Sequence, residues 1–182
     1  MPHANPDAAV VLIGLRGSGK TTLGRLLATA LSSGFIDLDD RTRARTGHAS
    51  VSAAFRAVGE PAFRAAEAAA LEETLATCPP RTVIALGGGT PTAPGAHALL
   101  QRAAAEGRIR VVLLEAPPAV LGARLNAAPG DRPLLMGADF AEEAALLAAR
   151  RMPIYRGLAA AIVDTSRPTD QALAALVAFA RA

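Results

Sequence analysis

Lys20 is the only lysine in this 182-residue chain; the other eighteen basic positions are arginine. Arginine presents a broad planar fork, whereas lysine is a compact point charge on a flexible stem. The one retained lysine therefore marks a place that calls for a small, mobile cation. It completes the run Gly14-Leu15-Arg16-Gly17-Ser18-Gly19-Lys20-Thr21-Thr22, which fits the spacing G-x-x-x-x-G-K-[ST]. The chemistry of that spacing is nucleotide-phosphate binding. Glycines allow a tight anion-binding turn, backbone N–H groups converge on phosphate oxygens, and the helix that follows adds its positive end. Gly17, Ser18, Gly19, Lys20, Thr21 and Thr22 are thus the expected nucleotide contacts. Lys20 reaches the β- and γ-phosphates, and the Thr21 hydroxyl is a ligand of Mg²⁺.

A second group of candidates follows in Phe35-Ile36-Asp37-Leu38-Asp39-Asp40. On an extended segment Asp37 and Asp39 point to the same side. Two carboxylates beside a nucleotide can divide the work: Asp37 holds Mg²⁺ through its waters, and Asp39 accepts a hydrogen bond from an acceptor hydroxyl. Asp40 reads as a helix cap. Further on, Glu60-Pro61 is a good helix start, and Arg64 and Glu67 are spaced to pair along that helix. The three histidines and the single Cys78 form no cluster with metal-ligand spacing. Cys78 precedes Pro79-Pro80, outside every motif, and is read as inert.

These residues need a frame. Apolar runs predict strands at 8–13, 34–38, 82–86, 109–114 and 160–164. Helical spacing fills 22–31 after the glycine loop, then 40–46, 51–58, 60–77, 92–106, 118–125, 139–155 and 169–181. Strands alternating with helices predict an α/β fold with a parallel sheet covered on both faces. In such sheets ligands gather beyond the carboxyl ends of the strands. The glycine loop, the Asp37–Asp39 pair and Gly87-Gly88-Gly89 all fall at such ends.

Composition narrows the class. The chain is 51% apolar, with a formal charge of +3 and aromatics at only 3%. It has the size of one domain, here residues 1–182, with 1–8 as a flexible lead-in. No stretch is long and apolar enough for a membrane span, and the lead-in lacks the apolar centre of a signal peptide. A single cysteine fits the cytoplasm. Scattered arginines without stacking aromatics argue against nucleic-acid binding.

Taken in order, Asp37-Leu38-Asp39, Phe63-Arg64-Ala65-Ala66-Glu67, Gly87-Gly88-Gly89, Arg132-Pro133-Leu134-Leu135 and Arg151-Met152-Pro153-Ile154-Tyr155 join the glycine loop in a pattern that resembles the shikimate kinases. The resemblance runs from about residue 9 to 180. It implies a three-layer P-loop kinase of the nucleoside-monophosphate-kinase type, with a central five-stranded parallel sheet, helices on both faces and a lid at about 125–138. It implies ATP and Mg²⁺ as cofactors and shikimate as the substrate, phosphorylated at its 3-hydroxyl, in a monomer.

By the same resemblance Asp39, Arg64, Gly87, Gly88, Gly89 and Arg151 line the shikimate pocket, and Glu67 orients Arg64. Lys20, Asp39 and Arg132 are catalytic, Arg132 reaching the transferring phosphate from the lid. Arg124, Arg167 and Pro168 flank the adenine. The chain is one residue longer than the common pattern before Ser50 and again between Arg124 and Arg132. Two alternatives stay open: a gluconate-type kinase, which needs no paired Arg64 and Arg151, and a ligand-sensing domain that binds without turnover. Sensors of that kind usually adjoin a DNA-binding segment, and only about nine residues precede the first predicted strand.

Overall fold

The computed structural model describes residues 5–128 and 137–182. Strands β1 (Ala9–Ile13), β2 (Phe35–Asp37), β3 (Val83–Ala85), β4 (Ile109–Glu115) and β5 (Ala161–Asp164) form one sheet. Their order is β2-β3-β1-β4-β5, and every neighbouring pair is parallel. The helices are α1 (Lys20–Ala30), α2 (Leu38–Thr46), α3 (Val51–Thr77), α4 (Ala96–Ala105), α5 (Pro118–Ala127), α6 (Phe140–Leu158) and α7 (Thr169–Arg181).

β1 organises both layers because all five of its residues are buried. Side chains alternate across a strand. Ala9, Val11 and Ile13 face a cluster that includes Leu71, Leu100, Leu121, Leu147 and Tyr155, from α3 to α6. Val10 and Leu12 face Leu23, Leu27, Ala172 and Leu176, from α1 and α7. In the register, Val11 lies opposite Ile84 of β3 and Val111 of β4. The chain leaves β1 toward β3 and β2, then returns to the other flank for β4 and β5. The strand order therefore reverses at β1, and the crevice this opens lies at the carboxyl end of β1, where the glycine loop begins.

Several element boundaries differ from expectation, each for a local reason. α2 begins at Leu38 rather than at 40, because the Asp37 side chain caps it and accepts the Asp39 N–H at 3.1 Å. Asp39 thus sits in a first helical turn, not on an extended strand beside Asp37. Within α3 the backbone leaves the helical conformation at Gly59 (φ 76°, ψ 165°), so the two helices expected at 51–58 and 60–77 are present, divided where expected; Pro61 is tolerated just after that break, where its missing N–H has no helical partner to lose. The helix expected at 92–106 divides into a short 3₁₀ turn, Thr90–Thr92, and α4, with Pro94-Gly95 between them.

The lead-in also differs from expectation in part. Residues 1–4 lie outside the described residues, but Asn5 donates its side-chain amide to the Gly107 carbonyl at 2.9 Å, and Arg81 N–H donates to the Asp7 carbonyl. Asn5 and Asp7 are therefore tied to the loops that lead into β4 and β3. Among the described residues, no helix is long and apolar enough to cross a membrane.

α5 and α6 approach closely at Gly122 and Ala141, and the absence of a side chain at Gly122 permits it. A Cβ at Gly122 would lie 2.7 Å from Ala141 N, Cα and Cβ, which are mostly backbone atoms that cannot step aside cheaply. Gly157, also helical, has open space around its missing Cβ. Gly122→Ala is therefore expected to cost roughly 1–3 kcal/mol through overpacking, whereas Gly157→Ala gains roughly 0.5–1 kcal/mol from helix entropy. Urea unfolding of both variants checks the opposite signs; equal effects would remove the close-packing account of Gly122.

Candidate active site

Residues 14–19 link β1 to α1. Gly17 (φ 76°) and Gly19 (φ 87°) adopt left-handed conformations that side chains disfavour. Gly19 occupies the N-cap position of α1 and brings no capping side chain, and the first turn of α1 holds no acidic residue. The first N–H groups of α1 are thus left to solvent or an anion. Lys20 curls back over the loop: its Nζ donates to the Gly14 carbonyl at 3.0 Å and the Leu15 carbonyl at 2.9 Å. Ser18 is buried within the loop, and Thr21 and Thr22 are exposed at the start of α1.

Thr21 meets Asp37 across the carboxyl edge of the sheet, its hydroxyl donating to Asp37 Oδ2 at 2.8 Å. Burial pushes the Asp37 carboxyl above the usual range and the nearby Asp39 adds to that, while the Thr21 hydrogen bond pulls the other way. A hydroxyl and a carboxylate in contact form an oxygen-only donor set. That chemistry suits Mg²⁺, which keeps most of its waters and takes one or two protein oxygens. Among the described residues no group of three or more acidic, histidine or cysteine side chains competes as a metal site.

The triple glycine after β3 is a meeting point of three groups. A Cβ at Gly87 would lie 2.6 Å from Asp39 Oδ1 and 2.9 Å from Glu67 Oε1; one at Gly89 would overlap the Arg64 guanidinium. A Cβ at Gly88 would lie 3.3 Å from Arg16 N and 3.6 Å from the Gly14 carbonyl, so this loop rests directly on the phosphate loop. Arg64 Nη1 donates to Glu67 Oε2 at 2.5 Å, and the Thr90 hydroxyl donates to Glu67 Oε1 at 3.0 Å. Glu67 is 1% exposed. Burial pushes its carboxyl up, and Arg64 offsets this in part. Burial works against the Arg64 charge as well, but contact with Glu67 more than restores it. From α6, Arg151 Nη1 donates to the Gly88 carbonyl at 2.7 Å.

Arg124 lies on the opposite side of the phosphate loop. It donates to the Gly17 carbonyl at 3.2 Å and the Thr165 carbonyl at 2.5 Å. With Arg167, Thr22 and Ala172 it lines a cavity of about 390 Å³ that opens beside Gly17, Ser18 and Gly19. Pro168 stands next to it at the start of α7. A separate cavity of about 380 Å³, lined by Leu15, Pro117, Leu121, Met152 and Ile162, holds none of the sequence-predicted residues. Arg132, with Pro133, Leu134 and Leu135, lies outside the described residues, as does most of the predicted lid; at its borders, α5 runs to Ala127 and the Ala138 N–H donates to Glu142.

Three contacts had no role in the sequence reading. Arg16 pairs with Glu143 at 3.3 Å, with Glu143 1% exposed, and the guanidinium lies 5.6 Å from the Phe140 ring centroid. Thr90 supports Glu67. The Tyr155 hydroxyl donates to the Gly88 carbonyl at 2.5 Å. Arg16 and Glu143 are 127 positions apart, and no spacing rule links them. Tyr155 carried a signal, since it lies four residues after Arg151 and so on the same helical face.

A family model for shikimate kinase matches residues 16–180, from within the phosphate loop to the last turns of α7. A shikimate kinase of Mycobacterium tuberculosis is 43% identical over 157 residues, 86% of this chain and 84% of that one. Among solved structures, the shikimate kinase of Acinetobacter baumannii in complex with shikimate aligns with a TM-score of 0.82 and 30% identity, covering 94% of this chain and 92% of that one. A gluconokinase of Sinorhizobium meliloti 1021 aligns at 0.60 with 22% identity, covering 96% and 94%, which is a likeness of fold alone. With its five parallel strands, its phosphate loop and this matched span, the chain belongs to the shikimate kinase family.

Proposed function

We propose that the protein transfers the γ-phosphoryl group of ATP to the 3-hydroxyl of shikimate, giving shikimate 3-phosphate and ADP, a step in the synthesis of chorismate and the aromatic amino acids. The observation that carries this reading is the contact between the Gly87–Gly89 loop and the phosphate loop, with Asp39, Arg64 and Arg151 gathered around the former. A phosphoryl donor and a hydroxylated carboxylic acid bound on those two loops would be neighbours.

Phosphoryl transfer is mostly positioning and charge neutralisation. Lys20 leaves the loop carbonyls for the β- and γ-phosphates, and the α1 N–H groups cradle them. Thr21 and Asp37 would hold Mg²⁺, which would supply charge neutralisation at the phosphates. Asp39 accepts the hydrogen bond of the 3-hydroxyl, orients its oxygen toward the phosphorus, and takes the proton late. Arg64 and Arg151 bracket the shikimate carboxylate with charge-assisted bonds, and Glu67 keeps Arg64 turned to it. Arg132 is assigned to the transferring phosphoryl group, and Arg124, Arg167 and Pro168 to the adenine side, in line with the cavity beside Arg124. Exclusion of water by the 125–138 segment would keep ATP from being hydrolysed. A monomer working in the cytoplasm completes the reading.

The direct test is ADP release with ATP, Mg²⁺ and a panel of hydroxy acids. Shikimate-dependent release is expected; release with gluconate but not shikimate, or binding without release, would defeat the assignment. Lys20→Ala should nearly abolish turnover with the fold intact, and Lys20→Arg should be poor as well, because the fork cannot follow the phosphoryl group. Wild-type turnover in either variant rejects the phosphate-loop role.

Asp39→Asn should lower kcat by roughly a hundredfold or more, with ATP binding largely unchanged. A change in thermal stability alone would make Asp39 structural.

Arg64→Ala and Arg151→Ala should each raise the KM for shikimate by about tenfold or more through a lost charge-assisted bond, with the KM for ATP moving much less. Arg64→Ala carries a second expected effect, a loss of stability of roughly 3 kcal/mol, because it strands Glu67 as a buried charge. Calorimetry on both variants separates the two effects.

A further inference from the structure

Tyr155 takes no part in the reaction as proposed, yet it is the largest fully buried side chain among the described residues. Its ring packs in the core cluster that backs β1. Its hydroxyl ends on the same carbonyl that Arg151 uses: Gly88 O accepts from Tyr155 at 2.5 Å and from Arg151 Nη1 at 2.7 Å. Both side chains come from α6, four residues apart and therefore on one face. A carbonyl oxygen has two lone pairs, and here one is met by a neutral hydroxyl and the other by a charged fork. Burial pushes the Tyr155 phenol up, with Arg151 pulling the other way, so the hydroxyl keeps its proton and remains a donor. The far side of Gly88 is against Arg16 N and the Gly14 carbonyl, leaving its peptide little room to turn.

The two donors differ in freedom. Tyr155 is 0% exposed and held by packing all round, whereas Arg151 is partly exposed on a long stem. A buried carbonyl stripped of every donor pays a desolvation penalty; one that keeps a donor does not. We infer that Tyr155 is a positioning residue for the acceptor carboxylate: its hydroxyl holds the Gly88 carbonyl, so that the Arg151 guanidinium can exchange that carbonyl for a carboxylate without stranding it. The inference rests on the proposed pairing of Arg151 with the shikimate carboxylate. With phenylalanine at 155, Arg151 becomes the carbonyl's main donor, and each carboxylate bound is paid in a buried carbonyl left open.

The experiment is steady-state kinetics on the wild type, Tyr155→Phe, Arg151→Ala and the double variant, each with shikimate and with a shikimate analogue lacking the carboxylate. Phenylalanine keeps the ring and its packing, and a thermal melt checks that each variant is folded. Tyr155→Phe is expected to raise the KM for shikimate by about tenfold, the loss of one buried hydrogen bond. The KM for ATP and kcat should stay within about twofold, since the interaction concerns binding of the acceptor alone. The increase should vanish with the carboxylate-free analogue and should not recur in the Arg151→Ala background. Replacing Tyr155 with 4-aminophenylalanine restores an N–H donor at the same ring position and should recover most of the loss. An increase equal for both acceptors, one that adds in full to Arg151→Ala, or no recovery with the amino analogue would overturn the inference and leave Tyr155 as packing. If Arg151→Ala leaves the KM for shikimate unchanged, the carboxylate pairing itself fails, and this inference falls with it.

Discussion

The constraint on which the site depends is the closeness of two strand-end loops. Gly88, after β3, lies against the backbone of Gly14 and Arg16, after β1, too close for a side chain to grow freely between them. β1 and β3 are hydrogen-bonded neighbours in the sheet, and their registers bring their carboxyl ends level. A loop that cradles phosphates and a loop that gathers acid and guanidinium groups are thereby forced together. Glycine at 87, 88 and 89 is the condition for this, because Asp39 with Glu67, the phosphate loop and Arg64 each approach a different one of the three.

The charges around this contact are arranged so that none is buried alone. Glu67, almost fully covered, is met by Arg64 on one oxygen and by the Thr90 hydroxyl on the other. A buried ion pair is weak evidence for stability, since both partners lose water. Its use here is geometric: together with Glu60, which accepts from Arg64 Nη2 at 3.4 Å, it fixes the Arg64 fork beside Gly89. On the nucleotide side the order is reversed. Lys20 and Arg124 bond to loop carbonyls, Gly14 and Leu15 for the first and Gly17 and Thr165 for the second. These contacts hold both cations against the backbone of the phosphate loop.

α6 joins the two sides. Near its start Glu143 pairs with Arg16 of the phosphate loop, and toward its end Arg151 and Tyr155 hold Gly88. One helix therefore grips both strand-end loops through buried or half-buried groups. A rigid element spanning donor and acceptor suits a reaction whose barrier is lowered chiefly by alignment.

Much of this was legible in the amino-acid order. Lys20 among eighteen arginines, its glycines and the strand and helix around them identify the phosphate loop, because that motif is local and its backbone demands are met within a few residues. The alternation of apolar runs with helical spacing yields the parallel sheet for the same reason. What local pattern misjudged was the place of Asp39: alternation put it on an extended segment with Asp37, whereas Asp37, at the end of β2, caps α2 with its side chain and draws Asp39 into a helical turn. Capping depends on where the next helix starts, which in turn depends on how α2 seats Leu38 in the core. The partners of Arg16 and Gly88, and the Thr90 hydroxyl on Glu67, belong to the tertiary structure alone. They come from segments tens to more than a hundred positions apart, and nothing in the spacing of either segment records the other; only the order β2-β3-β1-β4-β5, which sets which strand ends adjoin, brings them within hydrogen-bonding reach.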